Sequence, residues 1–294
     1  MVTPFLPASV KALTEPESIH AVQSIRRCAV TTPLSPIPIQ TAYVQQGQGE
    51  TPILLLHGFD SSLLEFRYLL PRLATQAETW SVDLLGFGFT DRPSGIAFSP
   101  RTIQSHLYEF WKTMIGRPVV LVGASMGGAA AIAFALAYPS LVERLVLIDS
   151  LGYTVAPPLV KFLFPPLDYW AVEYLRQRKL KALELSMALG SEAKVIDLIR
   201  CSLLHTEMAG WHEATISFTK SGGYDFLADQ ICKIRQPTLI LWGESDDVLG
   251  TADALRFRQD IPNNQLVWIR DCKHVPHIEQ PEVTARHILS VEPI

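Results

Sequence analysis

Ser125 stands in Gly123-Ala124-Ser125-Met126-Gly127, a G-x-S-x-G pattern, and that setting gives a serine hydroxyl the means to attack a carbonyl. A short β-branched run, Val119–Val122, precedes it, and small apolar residues up to Tyr138 follow, stopped by Pro139. The first reads as a buried strand and the second as a buried helix. A strand-to-helix turn this sharp forces its central residue into a strained backbone, and the flanking glycines remove the side chains that would collide there. Serine is a weak nucleophile and needs a base, usually a histidine oriented by a carboxylate. Two later segments offer these groups. Gly243-Glu244-Ser245-Asp246-Asp247 follows the apolar run Thr238–Trp242, and Asp271-Cys272-Lys273-His274 follows Gln265–Ile269. Both runs read as strands, so Asp246 and His274 fall on the same sheet edge as Ser125, and spacing and topology converge on Ser125, Asp246 and His274. Asp149, at the end of the strand Leu145–Ile148, is the alternative acid, and Asp247 is adjacent to Asp246.

The elements that must hold these residues alternate. Extended segments are expected at Val22–Val30, Ile37–Gln45, Pro52–Leu56 and Thr79–Leu85, with helices at Phe66–Leu73 and Ser99–Ile115. Ser99 is placed to cap the latter helix, and Pro100 to begin it. The first 20 residues hold three prolines and are expected to be an irregular arm. After Ser150 the rhythm breaks into helical segments, Tyr169–Ala188, Glu192–His205 and Glu213–Thr219. It resumes with the strand Thr238–Trp242, a helix at Ala252–Asp260, the strand Gln265–Ile269 and a terminal helix at Pro281–Ser290. The expectation is an α/β fold with a mostly parallel twisted sheet covered by helices on both faces. Its core would be residues 1–150 and 224–294, interrupted by a helical cap at 151–223.

Composition narrows the function classes. The net charge of −4 offers no broad basic field for nucleic acid. The four cysteines form no C-x-x-C pair, which fits reduced thiols and a cytoplasmic location. A mean hydropathy of +0.18 argues for a thickly covered sheet or an apolar site. The N-terminal stretch lacks the basic start and continuous apolar run of a signal peptide. No apolar run of membrane-spanning length is free of Pro or clustered Gly. Contact with a membrane surface stays open, as does the oligomeric state.

LLLHGF, VDLLGFGFTDRP, GASMGG, TLILWGESD and CKHVPHIEQPE, in this order, resemble the motifs of the α/β-hydrolase superfamily from about residue 30 to the C-terminus. The resemblance implies Ser125 as nucleophile, His274 as base, Asp246 as acid and backbone N–H groups of Phe59 and Met126 as the oxyanion hole. It implies no cofactor and no metal. Two positions depart from the family pattern. Lys273 stands where glycine usually precedes the histidine, and Gly250 where proline often follows the acid. Serine at the turn separates the chain from the haloalkane dehalogenase and epoxide hydrolase branches, which resemble it elsewhere but use aspartate there. The meta-cleavage C–C hydrolases use serine but usually carry a glycine-rich HG-x-GPG loop and an asparagine before the nucleophile. This chain has HGFDSS and Ala124 instead. A carboxylic ester hydrolase is therefore ranked first and a C–C hydrolase second. The DLLGFGFTDRP loop is also similar to those of pheophytinase-like hydrolases, which cleave a phytyl ester. A ligand-binding protein that kept the fold with little turnover is the third reading.

Other residues have quieter readings. His57 would fix its loop, Asp83 would hold the following glycine loop by bonds to backbone, and His277 would bond within its own turn. His106 and His287 read as helix residues of the surface or core. Cys272, His274 and His277 imitate a metal cluster without a second group of ligands. Val155–Leu167 and its neighbours to Tyr174 are rich in proline and aromatic residues, and are placed to line a substrate entrance.

Overall fold

The computed structural model describes residues 4–153 and 162–290. Residues 155–161 of the apolar cap stretch lie outside them. Eight strands form one sheet in the order β1-β2-β4-β3-β5-β6-β7-β8. They are β1 (Arg26–Val30), β2 (Ile39–Gln46), β3 (Ile53–Leu56), β4 (Thr79–Val82), β5 (Val119–Ala124), β6 (Val142–Ile148), β7 (Thr238–Gly243) and β8 (Asn264–Ile269). β2 is antiparallel to both β1 and β4, and every pairing from β4 to β8 is parallel.

Buried on both faces, the central strands read as unbroken apolar runs rather than alternating ones. Their side chains still divide by the two-residue period of a strand. Leu54, Leu56, Val119 and Leu121 enter the core on one face, and Ile53, Leu55, Val120 and Val122 the core on the other.

The helices are α1 (Pro16–Ser24), α2 (Leu69–Leu73), α3 (Pro100–Met114), α4 (Met126–Ala137), α5 (Leu167–Ala188), α6 (Ala193–Leu204), α7 (Trp211–Lys220), α8 (Ala252–Asp260), α9 (Pro276–Glu279) and α10 (Pro281–Leu289). α3 begins as its sequence requires. The Ser99 hydroxyl accepts from the Thr102 N–H, the Thr102 hydroxyl accepts from the Ser99 N–H, and Pro100 opens the first turn. Its buried side carries Ile103, His106, Leu107, Phe110 and Trp111. His106 is a core residue. Its Nε2 lies 2.8 Å from the Thr41 hydroxyl, and burial lowers its pKa to about 4.

Two expectations are corrected at the N-terminal side. The arm is not irregular throughout and β1 does not begin at Val22, because Pro16–Ser24 is helical. Pro16 sits at the first helical position, where its missing N–H costs nothing, so it starts a helix rather than preventing one. Phe66–Leu73 is not one helix. A 3₁₀ turn at Leu63–Phe66 comes first, and α2 begins only at Leu69. Between β6 and β7 the described residues contain helices and turns and no strand.

Candidate active site

β5 delivers Ser125 to the first turn of α4 with φ 52° and ψ −118°, a conformation that costs about 1–3 kcal/mol for a residue with a side chain. Its surroundings leave no alternative. A Cβ at Gly123 would lie 2.2 Å from the Gly127 carbonyl oxygen, and one at Gly127 would lie 2.0 Å from the Leu56 carbonyl oxygen. The Ser125 N–H donates to the Ile148 carbonyl at 2.9 Å, and its carbonyl accepts from the Leu151 N–H at 3.0 Å. The Met126 N–H opens the helix and has no intrahelical acceptor. The Phe59 N–H donates to no acceptor among the described residues.

The turn after β7 holds Asp246, which is buried. Its Oδ1 accepts from the N–H groups of Val248 at 2.8 Å and Leu249 at 3.0 Å, and its Oδ2 lies 3.0 Å from His274 Nδ1. That bond leaves His274 Nε2 available. Ser125 and His274 line one cavity of about 400 Å³ together with Phe59, Val248 and Ile278. The loops after β7 and β8 cross so closely that a Cβ at Gly243 would sit 1.8 Å from the Lys273 carbonyl oxygen.

Both departures from the family pattern have local causes. Lys273 Nζ pairs with Asp247 at 2.7 Å, tying the two loops together at the surface. Gly250 has φ +70°, a conformation closed to proline, and its carbonyl accepts from Trp242 Nε1 at 2.9 Å.

Asp149 is fully buried, and its Oδ1 accepts from the Gly243 N–H at 3.0 Å. Asp149, Asp246 and His274 bring side-chain polar atoms within 4.8 Å of one another, but the histidine bonds to Asp246. Burial raises the Asp149 pKa to about 9, and the neighbouring Asp246 carboxylate adds to the rise while the Gly243 N–H opposes it. Asp149 is therefore neutral at neutral pH.

The support of the Gly58–Asp60 loop is only partly legible in the sequence. As expected, His57 fixes its loop, accepting from the Leu84 N–H at 3.1 Å with its Nδ1 2.8 Å from the Gly58 carbonyl. Asp83 accepts from the N–H groups of Leu63 and Phe89, both at 2.6 Å, which holds the glycine loop as expected. His277 does not bond within its own turn. Its Nε2 lies 2.9 Å from Glu65 Oε1, and Glu65 Oε2 accepts from the Gly58 N–H at 3.1 Å. Burial alone would raise the Glu65 pKa, but His277 together with Ser61 and His57 outweighs it and brings the value down to about 2.

Asp60, which the sequence did not single out, fastens this loop to the helices between β6 and β7. Its Oδ1 accepts from Trp211 Nε1 at 3.0 Å, and its Oδ2 pairs with Lys179 Nζ at 2.7 Å. Its carbonyl accepts from Lys179 Nζ at 2.8 Å and lies 2.9 Å from His205 Nε2. Burial holds His205 well below the usual imidazole range, so it is neutral.

With this geometry in view, the chain matches the alpha/beta hydrolase family over residues 53–287. It belongs to that family. The hydrolase is 32% identical over 293 residues to the alpha/beta hydrolase domain-containing protein VTE7 of Arabidopsis thaliana, covering 95% of this chain and 86% of the relative. It is 29% identical over 262 residues to the 2-hydroxy-6-oxo-6-(2'-aminophenyl)hexa-2,4-dienoic acid hydrolase of Metapseudomonas resinovorans, covering 86% of this chain and 87% of the relative. A thermophilic esterase from Thermogutta terrifontis superposes with a TM-score of 0.73 and 25% identity, over 90% of this chain and 96% of the esterase.

Two outcomes are expected from these contacts. A carboxyl whose folded pKa is raised imposes no penalty below its unfolded pKa near 4, and a penalty that grows as pH rises toward about 9. Asp149→Asn should therefore gain Tm relative to the parent hydrolase progressively across that range, as a thermal melt series in pH will show. Lys179→Met leaves the buried Asp60 carboxylate unpaired, so urea unfolding should show a loss of about 3 kcal/mol.

Proposed function

We propose that the hydrolase cleaves a carboxylic ester of a largely apolar small molecule, through an acyl-enzyme on Ser125. The observation that carries this reading is the strained Ser125 turn opening into a cavity shared with His274, whose other nitrogen is bonded to buried Asp246. The Ser125 hydroxyl attacks the ester carbonyl while His274 Nε2 takes its proton. Asp246 stabilises the imidazolium that forms. The carbonyl oxygen becomes an oxyanion, received by the N–H groups of Phe59 and Met126 at the positive end of α4. His274 returns the proton to the leaving alcohol. Water then enters and gives one proton to the same histidine as its oxygen bonds to the acyl carbon; the bond to Ser125 Oγ breaks, His274 returns the proton to that oxygen, and the acid is released.

The cavity volume suits a small-molecule substrate. Phe59, Leu64, Leu198, Val248, Val275 and Ile278 supply its apolar wall. The esterase likeness supports the ester reading. The dienoic acid hydrolase likeness supports C–C cleavage as the second reading, and that reaction would use the same three residues. The Phe59-Asp60-Ser61-Ser62 loop, in place of the glycine-rich loop usual in the C–C branch, favours the ester. Residues 1–150 and 224–294 would form the catalytic core and 151–223 its cap, acting inside the cell without a cofactor.

Ser125→Ala should abolish labelling by a fluorophosphonate and lower kcat by about 10⁴-fold or more, since residues acting as a unit lose their effect together. Asp246→Asn should be far more damaging than Asp247→Asn or Asp149→Asn. Undiminished turnover of folded Ser125→Ala refutes the mechanism, and a crippled Asp149→Asn moves the acid to the end of β6.

A homologous series of short aryl esters tests the substrate class. Each well-packed methylene contributes about 0.8 kcal/mol, nearly a fourfold gain in affinity. kcat/KM should therefore rise along the series until the cavity is filled. A flat series, or faster turnover of vinylogous diketones than of esters, overturns the ester reading.

A further inference from the structure

α5 leaves most of its side chains in solvent. Asp168 and Val172 are its buried residues, because α6 and α7 cover one side of it. Leu167, Trp170, Tyr174, Arg178, Lys181 and Leu185 recur every three or four positions, so they form one stripe along the helix. Trp170 is 61% exposed, Tyr174 65% and Leu185 60%. Just ahead of the helix, Phe162 and Phe164 extend the apolar end at 77% and 65% exposure. Large exposed apolar side chains gathered on one helix face in this way mark an interaction site rather than ordinary surface variation.

Charge decides what fits it. Two carboxylates of α5 are already paired, Asp168 with Lys220 at 2.5 Å and Glu173 with Arg176 and His212, both at 2.9 Å, which leaves the exposed Glu184 against the two cations Arg178 and Lys181. Among the described residues no carboxylate pairs with Arg178 or Lys181, although the chain as a whole carries a net charge of −4. A second copy of the chain fits poorly. A two-fold contact along the stripe places the middle of α5 on its own counterpart, which sets Arg178 and Lys181 against like charges. A layer of anionic lipid headgroups accepts both cations, and Trp and Tyr rings favour the depth at which such headgroups lie. Arg178 belongs to the stripe and also lines the Ser125 cavity, whose wall includes Val248, itself 65% exposed.

We infer that the exposed stripe of α5, with Phe162 and Phe164, docks on an anionic lipid bilayer and sets the mouth of the Ser125 cavity toward it. Docking stands on the stripe itself, whereas its use, admitting apolar esters dissolved in the membrane, rests on the proposed ester hydrolysis.

The test is sedimentation of the full chain with phosphatidylcholine vesicles, pure or mixed with phosphatidylglycerol. The protein should be retained on the mixed vesicles, and added salt should weaken retention. Arg178→Gln with Lys181→Gln should weaken binding to mixed vesicles about 25-fold, roughly fivefold for each cation removed. Trp170→Ser with Tyr174→Ser should weaken binding to both vesicle types, with circular dichroism showing the fold intact. Ser125→Ala should sediment as the parent does, so a failure of the serine mechanism registers in turnover and leaves this readout unmoved. No retention on mixed vesicles overturns the inference, as does retention that neither double substitution reduces. A dimer seen by light scattering, split by the Trp170 and Tyr174 substitutions and showing no vesicle binding, assigns the surface to a second copy instead.

Discussion

Helix α4 meets the carboxyl end of β3 with no room for a methyl group between them. A Cβ on Gly127 would lie 2.0 Å from the Leu56 carbonyl oxygen and 2.6 Å from that of His57. This approach fixes the first turn of α4 against β3 and holds Ser125 in its left-handed conformation. The cost is met by burial, since Met126 to Ala135 are all inside the core. The same approach places the Gly58 turn beside the serine, where a Cβ on Gly58 would lie 3.5 Å from Ser125 Cβ. One backbone contact thus sets the position of the serine and of the loop that faces it.

A second constraint acts on charge. Asp149 and Asp246 end neighbouring strands, and two adjacent buried carboxylates do not both ionise readily. The hydrogen-bond supply sorts them. Asp246 receives two N–H groups and an imidazole, whereas Asp149 receives one N–H and is fully buried. The richer supply of donors is at Asp246, next to His274, whereas burial raises the pKa of Asp149 to about 9.

The parts of the candidate site that lie on strand ends were legible in the sequence, because strands buried on both faces read as short unbroken apolar runs that end in recognisable turns. Ser125, Asp246 and His274 each follow such a run. Helix α3 was legible for a similar reason, through its Ser99 cap and Pro100. The bonds that carry the Gly58–Asp60 loop were not. Asp60 meets partners 119 to 151 residues away on elements whose relative placement no local pattern encodes. Glu65 and His277 are likewise joined only by the fold, although the position of His277 in CKHVPHIE was the one available signal. The N-terminal helix was missed because proline was read as a breaker, when at a first helical position it is a starter.

α5 and the sheet are held by different interactions, and that difference bears on function. The core sheet is held by apolar burial on both faces, which tolerates no gaps. α5 is held by directional ties instead: Lys179 to Asp60, Glu173 to His212 and Asp168 to Lys220. Such bonds fix orientation while contributing little net stability. They leave Trp170, Tyr174 and Leu185 of α5 facing outward, where a helix of the core would have turned them in. A segment with few buried contacts opens at lower cost than the sheet beneath it. Lys179 is the tie that reaches furthest, because it holds both the side chain and the carbonyl of Asp60, the residue directly after Phe59. Through Lys179, α5 is therefore tied directly to the loop facing Ser125.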